Sequence, residues 1–227
     1  MLDGRLTSAA KFVRQGAVFA DVGCDHAHLP IFLLKTGKIE RAYLSDINEG
    51  PLAKARENVK DAGLLGSVEF LLSDGALSLS DKGVTDIAVC GMGGELIARI
   101  IEDSAWLKNQ AVRLILQPMT KAAHLRRSLA SSGFKIIAES YSKADGKFYV
   151  CICAEYDGVA RGISDAEAEI GAFYPDFDNN NLQIDYLKTK KRALVRTADG
   201  RRAGGCDASG ELSLIAAIDE RIAALGG

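Results

Sequence analysis

Up to about residue 155 the apolar positions fall into two alternating kinds of segment. Short, nearly continuous apolar runs lie at 17–22, 41–45, 67–72, 86–90 and 113–117. Runs of that length between turn residues are what strands covered on both faces look like. Between them lie segments that read as helices: 5–15, 31–36 after His26, 48–63, 94–102 and 121–132. In 48–63, Leu52, Ala55 and Val59 repeat at helical spacing and Gly63 is a stop signal. Strand and helix alternating in this way predict a parallel, doubly wound sheet. Two further apolar segments, 134–140 and 147–154, are separated only by a short polar gap at Ala144-Asp145-Gly146. Aspartate and glycine suit a tight turn, so these two read as an antiparallel pair. The expected architecture is a seven-stranded, mostly parallel α/β sheet closed by an antiparallel hairpin. Doubly wound dehydrogenases lack that closing hairpin.

The pattern changes after Glu155. Residues 164–185 carry Asp165, Glu167, Glu169, Asp176, Asp178 and Asp185 and no Lys or Arg. Residues 183–202 then hold Lys188, Lys190, Lys191, Arg192, Arg196, Arg201 and Arg202, with an apolar stripe of Leu182, Tyr186, Leu187, Leu194 and Val195. The glycine-rich stretch 201–209 reads as a loop. Residues 211–225, with Leu212, Ile215, Ile218, Ile222 and Leu225, form a last amphipathic helix. Two such helices pack as an antiparallel hairpin. The chain thus divides into an α/β domain over 1–157 and a helical extension over 158–227.

Composition narrows the function only a little. The 227 residues carry a net charge of -2, with 26% charged, so the chain is no polybasic nucleic-acid binder and any basic face must be local. No apolar run approaches a membrane span, and Met1 to Arg5 shows no signal-peptide architecture, so a cytoplasmic protein is expected. The five cysteines are odd in number and irregular in spacing, which does not suggest a disulfide framework. Cys151 and Cys153 share one strand face. Cys24, His26 and His28 lack the second ligand pair a zinc site wants, and no metal is expected. Nothing indicates an obligate protein partner.

The chemistry is concentrated at the ends of the predicted strands. Asp21 ends the first, and Gly23 opens the turn Val22-Gly23-Cys24-Asp25-His26 into a helix. Glycine there permits a tight turn and close approach of a ligand. A pyrophosphate-binding turn would need G-x-G-x-x-G, and Asp25 stands where a second glycine would be. A carboxylate repels a pyrophosphate but pairs with an ammonium, so S-adenosylmethionine suits the turn better than NAD. Asp46 ends the second strand, where doubly wound folds hold ribose hydroxyls. Asp74-Gly75 after the third offers a carboxylate to an adenine amine or is a plain turn. Cys90-Gly91-Met92-Gly93-Gly94 after the fourth implies backbone open to a ligand or a close strand–helix turn. Gln117 and Pro118 end the fifth, in the ligand crevice of such sheets.

In order, D-V-G-C-D-H-A-H-L-P at 21–30, S-D-I-N-E-G-P-L at 45–52, C-G-M-G-G at 90–94 and L-I-L-Q-P at 114–118 closely resemble the bacterial tRNA (adenine(22)-N1)-methyltransferases. Gly50-Pro51 and the D-G-K-F-Y hairpin at 145–149 resemble them too. The resemblance implies a class I methyltransferase domain, Rossmann-like, with a coiled-coil-like C-terminal extension. It implies methyl transfer from S-adenosylmethionine to N1 of adenine 22 in tRNA. Asp21, Gly23, Cys24, Asp25 and His26 would then shape the methionine end, although His26 has a purely structural alternative. Asp46 and Ile47 would meet the ribose, and Asp74 and Gly75 the adenine. Gly91, Met92 and Gly93 would line the transfer zone, with Gln117 and Pro118 near the target base. RNA would be met by Lys121, Arg126 and Arg127 and by Lys188, Lys190, Lys191, Arg192 and Arg196, with Arg5, Lys11 and Arg14 extending that face. Three departures stand out: Met119 replaces the family's Asn after Gln117-Pro118, Cys24 stands where the family often has a small residue, and the loop over 197–209 looks long. Other readings of the residues remain: a methyltransferase on another RNA or a small molecule, an NAD-linked oxidoreductase opposed by Asp25, or a non-catalytic tRNA-binding module.

Overall fold

The computed structural model describes residues 2–172 and 180–227. In chain order the elements are α1 (Gly4–Phe12), β1 (Val18–Val22), α2 (His28–Lys35), β2 (Arg41–Asp46), α3 (Glu49–Asp61), β3 (Val68–Leu72), β4 (Asp86–Gly93), α4 (Gly94–Asp103), β5 (Arg113–Thr120), α5 (Ala122–Ser131), β6 (Phe134–Ala144), β7 (Lys147–Tyr156), α6 (Asp165–Ile170), α7 (Asn180–Ala203) and α8 (Ser209–Ala224). The seven strands form one sheet in the order β3-β2-β1-β4-β5-β7-β6. Pairs from β3 through β5 are parallel, and β7 runs antiparallel to both β5 and β6. Strand order reverses between β1 and β4, which opens the crevice beyond their carboxyl ends. The hairpin turn is Asp145-Gly146, both at positive φ (49° and 73°), the backbone a two-residue turn needs to match strand twist.

Alternation along the strands divides the core into two layers. Phe19, Leu44, Ala88 and Ile115 face Phe12 of α1, Leu33 of α2 and Val59 of α3. Ala20, Tyr43, Ile87 and Leu116 face Ile97 and Ile101 of α4 and Leu125 and Leu129 of α5. Every one of these is buried, which is why the strands read as continuous apolar runs. At the far end of the sheet the fully buried Asp86 carboxylate accepts from the Arg14 backbone N–H and Nε, both at 2.7 Å. Arg14 also donates to the carbonyls of Thr85 and Ala111. Arg14 is therefore tied into the fold by these bonds, with about a third of its side chain exposed.

Around the C-terminal extension the structure departs from expectation in three ways. First, a further helix, α6, lies between β7 and α7. It begins with a capping box in which Ser164 Oγ accepts from the Glu167 backbone and Glu167 accepts from the Ser164 backbone. Second, α7 continues to Ala203, so no long loop spans 197–209. Good helix formers around Gly200 carry the helix through one unfavourable residue. It stops only at Gly204 and at Gly205 with φ 70°, where Cys206 N donates back to Arg201 O. Third, Arg126 is 1% exposed and faces inward. Its Nε and Nη2 reach Glu139 at 2.6 and 3.1 Å, and Nη1 donates to Ala168 O at 2.8 Å, at the carboxyl end of α6. Burial works against that charge, and the Glu139 carboxylate more than restores it. Arg126 joins α5, β6 and α6 and cannot reach RNA. The helices α7 and α8 pack antiparallel, with Arg201 near Glu211 and Lys191 on Asp219, over a small core of Ile184, Leu187, Ile218 and Leu225. Asp176 and Asp178 of the acidic stretch lie outside the described residues. Among the described residues no helix is long and apolar enough to cross a membrane.

Candidate active site

Two concavities meet at the carboxyl ends of β1, β2 and β4, sharing Gly23. The first, about 300 Å³, is lined by Asp3, Arg5, Asp21, Gly23 to Leu29, Cys90, Gly91 and Gln117. The second, about 150 Å³, is lined by Val22, Gly23, Asp46, Ile47, Ser73 to Gly75, Met92 and residues of α4. A larger hollow of about 440 Å³ lies between α3 and β3 and is lined by none of the candidate cofactor-binding or catalytic residues. The crevice at the strand-order reversal is where the candidate residues converge.

Asp21 is the most unusual group there. Its carboxylate is 7% exposed and has no hydrogen-bond or ion-pair partner among the described residues. Burial raises its pKa to about 7. A buried carboxylate without a partner, aimed into a cleft, is poised for a cationic or hydroxyl-bearing ligand. Beside it Gly23 holds φ 77° with its N–H on Ser45 O, and a Cβ there would strike the Met92 methyl. The positive φ is what favours glycine in the turn, since the end of the Met92 side chain could shift. Asp25 is exposed, and its carboxylate is 3.2 Å from His26 Nε2. His26 stacks on His28 at 5.1 Å, and its carbonyl accepts from Asn58 Nδ2 of α3. His26 is thus held in place by backbone and ring contacts while its ring faces the cleft. Cys24 is buried, and burial together with the Asp21 and Asp46 carboxylates pushes its thiol far up, so it stays protonated. Among the described residues no three of His, Cys, Asp and Glu are grouped to hold a metal ion.

Asp46 lines the second concavity, and its Oδ1 accepts from Asn48 N at 2.9 Å. Ile47 is 59% exposed, an apolar side chain open to the same space. Asp74 is exposed at the rim, and Gly75, at φ 56°, packs its Cα against Ile100. Carboxylates to accept from ribose hydroxyls and from an amine, with an apolar flank, are what an adenosine needs. The unpartnered Asp21 across Gly23 supplies the place for an ammonium. The residues present fit S-adenosylmethionine.

The glycine cluster divides by role. Strand β4 does not end at Cys90 but continues to Gly93 through a bulge, with register shifts at Cys90/Met92 and Met92/Gly93. Gly91 sits at the bulge with φ 80° and open space where a side chain would go. Gly94 is different: a Cβ would collide with the Lys121 backbone, so it is required for packing α4 against the loop before α5. Gln117 is 1% exposed, and its Oε1 accepts from Gly91 N at 3.2 Å while Nε2 donates to Pro118 O. Its amide holds the bulge in place rather than standing free to read a base. The last residue of β5 that pairs with β7 is Leu116, so Pro118 lies beyond that ladder and its missing N–H leaves no gap in it. Met119, in the position of the family's Asn, places Sδ 3.5 Å from Arg5 Nη1.

The basic candidates separate in the same way. Lys121 is exposed, with Nζ 4.0 Å from Glu95, and Arg127 is paired with Asp165 at 2.5 Å. Lys190 is tied to Glu169 and Lys191 to Asp219, each at 2.6 Å. Lys188, Arg192 and Arg196 are exposed, have no acidic partner among the described residues, and repeat every fourth residue along one stripe of α7. The sequence pattern alone did not separate this row from its paired neighbours, because partners on α6 and α8 decide it.

Residues 2–152 match the methyltransferase domain family. The tRNA (adenine(22)-N(1))-methyltransferase of Bacillus subtilis is 36% identical over 167 residues, 70% of each chain. The structure superposes on Streptococcus pneumoniae Sp1610 in complex with S-adenosyl-L-methionine at 33% identity and a TM-score of 0.81, covering 98% of this chain and all of that one. It superposes on TrmK of M. capricolum in complex with S-adenosyl-homocysteine at 27% identity and a TM-score of 0.79, covering 99% of each. With the strand order, the turn at Gly23 and the bulge at Gly91 all in place, the chain belongs to the tRNA (adenine(22)-N1)-methyltransferase family.

Proposed function

We propose that this chain transfers a methyl group from S-adenosylmethionine to N1 of adenine 22 in tRNA. The observation that carries the reading is the buried, unpartnered Asp21 carboxylate beside Gly23, between one concavity fit for adenosine and another open toward Gly91 and Arg5. When bound, S-adenosylmethionine supplies a sulfonium methyl carbon, which the N1 lone pair of adenine takes in line as the electron pair of the broken bond returns to sulfur. Adenine N1 is mostly unprotonated at neutral pH, so no side chain has to act as a base before the attack. The residues of the chain therefore orient, exclude water and balance charge. Asp21 takes the ammonium, with Asp25 and His26 closing the turn around the methionine end. Asp46 takes the ribose hydroxyls, Ile47 covers one side of the adenosine, and Asp74 meets its amine. Gln117 fixes the Gly91 bulge, which leaves the transfer zone open to a flat base. The Lys188–Arg192–Arg196 row takes phosphates. We place the boundary between the methyltransferase unit and the extension after Asp157, and a tRNA substrate places the reaction in the cytoplasm.

The test is mass spectrometry of nucleosides from unmodified tRNA incubated with the protein and S-adenosylmethionine. The expected product is 1-methyladenosine, formed with adenine at position 22 and not with guanine there. Equal methylation of both tRNAs would reject the position, and a different methylated nucleoside would reject the chemistry.

A further inference from the structure

The first turn of α1 carries a side chain that the cofactor does not account for. Arg5 lines the same cleft as Asp21, Gly91 and Gln117, and its guanidinium is held from three directions. Asp3 receives Nε at 3.1 Å and Nη2 at 2.6 Å. The Tyr149 ring lies against it, 5.4 Å from ring centroid to Cζ. Met119 Sδ lies 3.5 Å from Nη1. These anchors come from three separate parts of the fold: the α1 N-cap, the start of β7 and the end of β5. Their meeting is built in, because a side chain at Gly4 would press on the Lys143 backbone, so α1 sits directly on the hairpin that carries Tyr149. The side chain is nevertheless 29% exposed.

An arginine meant to catch a phosphate does better on a free stem with its fork outward. Here the edges of the fork are taken by a carboxylate, a sulfur and a backing ring. What remains is a rigid, planar, partly desolvated surface at the mouth of the cleft. Guanidinium planes are platforms on which unstacked bases lie. Resting on the proposed function, we infer that Arg5, backed by Tyr149, is the platform on which the extruded target adenine stacks for methyl transfer. The Asp3 partner is essential to this. Methylation at N1 makes the base cationic, and a bare guanidinium over it would oppose the reaction, whereas an Arg5–Asp3 ion pair is neutral overall. Burial favours protonation of Asp3, but the Leu6 amide and Arg5 outweigh it and hold the carboxyl below its usual range. The balancing charge is therefore present at neutral pH.

The experiment is steady-state methyl transfer to unmodified tRNA by the full chain, with calorimetric S-adenosylmethionine affinity and thermal melting measured for each variant. Arg5→Lys keeps the charge and loses the plane. It is expected to lower kcat/KM for tRNA roughly tenfold to a hundredfold, as loss of base stacking does, with cofactor affinity and melting unchanged. Tyr149→Phe keeps the backing ring and is expected to retain activity that Tyr149→Ala loses. Asp3→Asn keeps a good helix cap, since Asn and Asp cap equally well, and is expected to lower kcat without raising KM. Full activity in Arg5→Lys would overturn the inference and assign Arg5 a charge-only role. Loss of cofactor affinity or melting in step with kcat/KM would overturn it in favour of a scaffold role. Absence of methyl transfer by the unsubstituted chain would overturn the proposed function and this inference with it, whereas an active parent with an active Arg5→Lys overturns the inference alone.

Discussion

At the scale of single residues, the cleft depends on groups that would be costly anywhere else. Asp21 is buried without a partner, and its pKa stands at about 7 because burial penalises the charged form. A raised carboxyl binds its proton more tightly folded than unfolded. Its contribution to stability is therefore full below about pH 4 and is lost as pH rises through about 7. An ammonium partner prefers the ionised form, so binding of S-adenosylmethionine should strengthen with pH over the same range. About one tenth of Asp21 is ionised at pH 6, so affinity there should be about tenfold weaker than at pH 8, with protons released on binding below pH 7. Calorimetry in buffers of different ionisation heat measures both quantities, and Asp21→Asn should flatten the dependence. A pH-independent affinity with no proton release would mean that Asp21 does not meet the ammonium. Much of this site was legible in the sequence: Asp21, Gly23 and Asp46 were marked by where the apolar runs ended. What could not be read was which polar atoms are already used. Gln117 looked free and in fact holds Gly91; Arg5 looked like a surface cation and in fact lines the cleft.

At the scale of elements, the apolar pattern predicted the strands well because each is buried on both faces, which leaves a strong and simple signal. It predicted the ends less well. Strands β4 and β5 run past Cys90 and Gln117, because a bulge carries the pairing through glycine and proline that read as turn residues. The helix α6 was missed although Ser164-Asp165-Ala166-Glu167 is a capping box in plain sequence. The most consequential miss was Arg126, which in sequence is one more cation on a helix. In the fold it joins Glu139 and the last turn of α6, with Tyr141 Oη donating to Glu139 at 3.0 Å. Gly171 belongs to the same joint: its φ is 75°, and any Cβ would run into the Glu139 carboxylate. Removing one member of a buried ion pair leaves the other uncompensated. Arg126→Met should therefore destabilise the protein by about 3–5 kcal/mol, and adding Glu139→Gln should restore a substantial part of it. Urea denaturation with both variants measures this. A single variant as stable as the parent would show that the pair does not hold α6 to the sheet.

At the scale of the whole molecule, a chain of net charge -2 has to gather its cations locally to hold a polyanion. Ion pairing decides where. Arg14 is paired with the buried Asp86, Arg126 is buried with Glu139, and Lys190 and Lys191 are neutralised by Glu169 and Asp219. The unneutralised Lys188, Arg192 and Arg196 form one exposed row on a helix whose Tyr186 packs near Tyr141 and Phe148 of the β6–β7 hairpin. Deleting the extension is a poor way to test it, because a cut before α6 strips Arg126 of Ala168 O and uncovers the buried pair. Substitution on the exposed stripe leaves that joint intact. Changing Lys188, Arg192 and Arg196 together to Gln should weaken tRNA binding and lower the slope of log affinity against log salt by roughly two to three, as three lost phosphate contacts do. Changing Lys190 and Lys191 to Gln should move that slope far less, since each already has a carboxylate partner. Cofactor affinity should stay the same in both. Filter binding of unmodified tRNA across a salt series, with calorimetry for the cofactor, gives all of these values. Equal slopes for the two variants would mean that the paired and unpaired lysines and arginines are alike to RNA, and the assignment of the row would fall.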